Sequence, residues 1–66
     1  MLNLIQVTPG QRLRLRNGAT CEVLENIGDG IWVQARVVDN PADPDAVGRE
    51  DLVHCEEVAG LEAAAN

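Results

Sequence analysis

A chain of 66 residues with no Phe or Tyr and a single Trp must build its interior from Val, Leu, Ile, Ala and Cys. It therefore reads as one small domain with a thin core, which association with another chain would reinforce. The formal charge of −6 argues against nucleic acid or an acidic membrane surface as a partner, because both draw proteins in through a positive field.

The opening MLNLIQV is too short to span a membrane and lacks the basic start and long apolar run of a signal peptide. A cytoplasmic protein without membrane contact is expected, with LNLIQV as an added strand or as a segment docked on the end of the fold. QRLRLRNGATCEV then alternates with period two, which predicts a β-hairpin. A two-residue Asn-Gly loop would oppose Leu13 to Glu22 and mix the faces. A three-residue loop of Arg16, Asn17 and Gly18, with Gly18 at positive φ, pairs Leu15 with Ala19, Leu13 with Cys21 and Arg12 with Glu22.

With NIGDG as the next turn, the following strand pairs Val23 with Val33, Cys21 with Ala35 and Ala19 with Val37 on an apolar inner face. The outer face then sets Leu24 beside Trp32, Glu22 beside Gln34 and Thr20 beside Arg36. Ile31, Val33, Ala35 and Val37 point inward and Trp32 outward, since a slip of one residue would bury Gln34 and Arg36. DNPADPDAVG reads as a surface loop, REDLVHC as a short strand centred on Leu52 and Val53, and EEVAGLEAAAN as one turn followed by a weakly helical or frayed tail. One domain over residues 1–60 with a tail over 61–66 follows.

The spacing of TPGQRLRLRNGATCEVLENIGDGIWVQARVV, with a Gly before the first strand and another ending it, resembles the opening of KOW-type modules. That likeness implies an all-β, SH3-like small barrel of about five antiparallel strands with a short C-terminal turn or helical tail. KOW-type modules commonly bind RNA, but the basic loops that would do so are missing here. A second SH3-like family, the plasmid-borne type II dihydrofolate reductases, forms its site in the pore of a homotetramer. This chain has WVQAR at 32–36 in place of that family's Val-Gln-Ile-Tyr motif, so that activity is not expected. The chain also resembles short bacterial proteins of the kind carried on mobile gene cassettes.

Arg12, Arg14, Leu24, Trp32, Gln34 and Arg36 form the candidate contact face, because Trp and Arg are the residue types enriched at binding hot spots. The bland account of the same residues is a solvated sheet face with Arg12 and Glu22 paired across strands. Arg14, Arg16 and Arg36 could also gather as an anion site. Cys21 and Cys55, without CxxC spacing, read as buried free thiols. His54 beside Cys55 lacks further zinc ligands, and the acidic loop has Pro44 where a calcium loop needs Gly, so no metal or cofactor is expected. A lone His54 with nothing to orient it does not make a catalytic centre. A self-associating binding or adaptor module follows, meeting a homo-oligomeric or other protein partner. The alternative is an enzyme or ligand-binding protein whose site forms only between subunits of a homo-oligomer.

Overall fold

In the computed structural model, which describes residues 4–61, five strands make one antiparallel sheet. They are β1 (Arg12–Leu15), β2 (Thr20–Asn26), β3 (Trp32–Asp39), β4 (Glu50–His54) and β5 (Val58–Leu61), laid side by side in the order β4-β3-β2-β1-β5. The chain is all-β, as the alternation implies. The remaining regular pieces are single 3-10 turns at Leu4–Gln6, Pro44–Ala46 and Cys55–Glu57.

The β1–β2 hairpin has the expected register: Arg12 faces Glu22 and Leu13 faces Cys21. Leu15 N–H donates to Ala19 O (2.8 Å) and Gly18 N–H to Leu15 O (3.0 Å). Gly18 holds φ +91°, a left-handed value that only glycine adopts without strain.

Between β2 and β3 the faces are as expected but the pairing is displaced by two residues. Cys21 faces Val37, Glu22 faces Arg36 and Val23 faces Ala35. A displacement of two leaves every side chain on its face, so the apolar pattern does not resist it. Beyond Val23 a bulge at Leu24 shifts the register again, placing Glu25 opposite Gln34 and Asn26 opposite Val33. The extra residue turns Asn26 to the inner side, where its amide donates to the carbonyls of Leu4 (2.8 Å), Ile5 (3.3 Å) and Val7 (2.6 Å). The described part of LNLIQV, residues 4–7, is thus a docked segment rather than a strand, with Leu4 and Val7 in the core; its first two residues lie outside the described residues.

That core also takes Leu13 from β1, Cys21 and Val23 from β2, Val33 and Ala35 from β3, and Val53, Cys55 and Val58 from the C-terminal third. No polar side chain is buried among the described residues. Two expected inner residues depart from it. Ile31 is exposed, because the Asp29 carboxylate accepts from both the Ile31 and Trp32 N–H groups (2.9 and 3.0 Å) and holds Ile31 in the turn. Val37 is half-buried at the mouth of the β3–β4 connection, where it exchanges backbone bonds with Gly48 and Arg49. Within that loop a 3-10 turn buries Ala46, so DNPADPDAVG is more ordered than a solvated connection.

The expected turn is the 3-10 turn Cys55–Glu57, but Val58–Leu61 then form β5, which pairs with β1 by setting Leu13 against Leu61 and Leu15 against Val58, so the sheet takes in Leu61, the first residue of the expected tail. Residues 62–66 lie outside the described residues.

β4 and β5 are consecutive in the chain yet occupy opposite edges of the sheet. A flat five-stranded sheet would hold them about 19 Å apart, whereas the 3-10 turn between them covers only about 8 Å. The sheet must therefore curl until its edges approach. The turn fills the seam: Cys55 N–H donates to Ile31 O (2.7 Å) on one side, and Arg16 N–H donates to Glu57 O (2.9 Å) on the other. The expected barrel is accordingly not closed by a ladder among the described residues.

Candidate contact face

The pleat puts all six candidate residues on the convex outer side. Arg12 and Arg14 come from β1, Leu24 from the bulge of β2, and Trp32, Gln34 and Arg36 from alternate positions of β3. Trp32 is 38% exposed, which answers for its direction. Its neighbour is not Leu24, because the displaced register moves Leu24 next to Gln34. Trp32 instead faces His54 of β4, with ring centroids 4.8 Å apart in an edge-to-face arrangement. Gln34 faces Leu52, which is half exposed and lies diagonal to Trp32 on the same face.

His54 is held from the backbone side. Its Nδ1 accepts from Glu56 N–H (3.0 Å), and Glu57 Oε2 accepts from His54 N–H (3.0 Å), so the two residues cap the seam turn reciprocally. An accepting Nδ1 leaves the ring proton on Nε2. Leu52 and His54 were not among the sequence candidates; only a correct β3–β4 register shows that they share Trp32's face.

Across the middle of the face runs a row of alternating charge. Arg12 faces Glu22, Glu22 faces Arg36, and Arg36 faces Glu50. Among the described residues no arginine lies within 4 Å of a carboxylate, the one contact of that kind being between the His54 ring and Glu56 at 3.8 Å, so neighbours in the row are adjacent without closing direct pairs. Glu22 and Arg36 are half-buried by their surroundings. With Arg14, Glu25 and Asp39 added, the face carries three arginines against four carboxylates. It is nearly neutral in a chain whose net charge is −6.

The arginines do not gather as an anion site. Arg16 is turned to the seam, where its Nε donates to Glu56 O at 2.8 Å and the side chain borders a shallow groove with Leu15, Asn17 and Glu57. Arg14 and Arg36 belong to the outer face, separated from it. Both cysteines are free and buried, and burial pushes the Cys21 thiol up to about 11, so it is a poor nucleophile near neutral pH. Asp29 is held below the usual carboxylate range by the N–H groups of Trp32 and Ile31. No group of three or more His, Cys, Asp or Glu able to hold a metal occurs among the described residues. No helix there is long and apolar enough to cross a membrane.

Compared with known proteins, the chain matches no family model, no curated protein and no solved structure.

Proposed function

We propose that the protein is a small self-associating binding module that meets a protein surface through the outer face of its sheet. The observation that carries this reading is the composition of that face: Trp32, Leu52 and half-buried Leu24 lie beside three arginines, on the nearly neutral side of an acidic chain. Elsewhere the chain repels copies of itself; on this face it does not. The aromatic-free core gives the association a physical motive, because covering Trp32 and Leu52 adds apolar burial that the interior lacks. The same reading keeps the fold as an SH3-like barrel, supported by the meander of β1 to β4 with β5 returning beside β1. A cytoplasmic setting suits the two free thiols.

Trp32 is the sole aromatic residue, so its emission reports on the face directly. As protein concentration rises, the emission should move to shorter wavelength and acrylamide quenching should fall. Emission and quenching that stay constant over the full range would count against self-association through this face.

A further inference from the structure

We infer that the protein forms a two-fold dimer in which Glu22 of each copy meets Arg36 of the other across the outer face. This inference rests on the self-association proposed above and adds its geometry. The two residues are direct partners on adjacent strands, at the centre of the row Arg12, Glu22, Arg36, Glu50.

A two-fold interface brings a patch against its own copy, so only a self-complementary patch can form one. For two sheets meeting face to face, the axis lies in the interface and can run along the strands or along the row. An axis along the row would set Glu22 on Glu22 and Arg36 on Arg36, opposing like charges. An axis along the strands, passing between β2 and β3, reverses the row, so Glu22 falls on Arg36 and Arg36 on Glu22. The charge pattern therefore selects the second arrangement. The same operation places the two Trp32 side chains on either side of the axis at one end of the face. Strands nearly parallel to the axis also suit the aligned packing that twisted sheets prefer.

The curl of the sheet carries Arg12 and Glu50 away from the centre, so the reciprocal Glu22–Arg36 contacts are the ones that set the register. Neither side chain closes an ion pair within its own chain among the described residues, so both are available. Arg36 offers a planar fork that a carboxylate accepts at two oxygens.

The test is charge exchange, read by sedimentation equilibrium, with circular dichroism confirming that each variant is folded. Glu22→Arg alone and Arg36→Glu alone each place two like-charge contacts at the centre, and each should weaken the dimer about a hundredfold. Mixing these two variants restores both contacts and should give a heterodimer. The double variant E22R/R36E restores them within one chain and should give a homodimer again. A wild-type dimer that both single variants leave intact, or that neither the mixture nor the double variant recovers, would overturn this register while leaving self-association standing. A wild type that stays monomeric at every concentration would overturn both.

Discussion

Asn26 and Cys21 show how single side chains hold this fold. The Asn26 amide is the only side chain donating to the carbonyls of Leu4 and Val7 among the described residues, and so ties the N-terminal segment over the open end of the sheet. Asn26→Ala should cost about 2 kcal/mol in urea unfolding, because Val7 O loses its side-chain donor and Leu4 O keeps only the Val7 N–H. Asn26→Asp should cost more, since it sets a carboxylate against carbonyl oxygens. Cys21 makes a pH prediction with a clear sign. Its thiol is raised from 9.0 to about 11 by burial, so folding favours the neutral form. That contribution is full below about pH 9, the unfolded value, and is lost as pH rises through about 11, up to roughly 2–3 kcal/mol. The chain has no Lys and no Tyr, leaving few other groups to titrate there. Urea midpoints should fall between pH 9 and 11 in the wild type and much less in Cys21→Ala, whose stability at neutral pH is lower from the cavity it creates.

At the scale of elements, the β1–β2 turn depends on Gly18. A Cβ there meets no atom within 4 Å, yet φ is +91°, so Gly18→Ala should cost about 1 kcal/mol from backbone conformation alone. A thermal melt of that variant checks it. β5 should prove indispensable: Val58→Asp places a charge in the fully packed seam beside Leu15 and should leave the chain unfolded by circular dichroism. These elements also show what was legible beforehand. The β1–β2 register was readable because Leu13 and Cys21 had one pairing that kept Arg12 and Glu22 outside. The β2–β3 faces were readable for the same reason, but the register was not, since alternation repeats every two residues and nothing in the string marks Leu24 as a bulge. β5 was misread because the alanines after Leu61 suggest a helix, while VAGL owes its strand to the free edge of β1. Leu52 and His54 were not assigned to the contact face because a five-residue strand with one buried residue, Val53, displays too little periodicity to orient it.

For the molecule as a whole, the curled sheet has one consequence above the others. It spends its apolar side chains on a small interior and leaves Trp32 and Leu52 on the convex side, next to charges that alternate in sign. The acidic remainder disfavours contact between copies elsewhere, which is why we propose the outer face as the place of association. Trp32 touches only His54 in the ring contacts of the chain, and its replacement should disturb the contact far more than the fold. Sedimentation equilibrium on wild type and Trp32→Glu, over a wide concentration range, is the most direct measurement. The expected result is a wild-type dimer and a folded, monomeric variant. A wild type that remains monomeric throughout, or a variant that associates as strongly as the wild type, would contradict the claim that this face is where the protein makes its contacts.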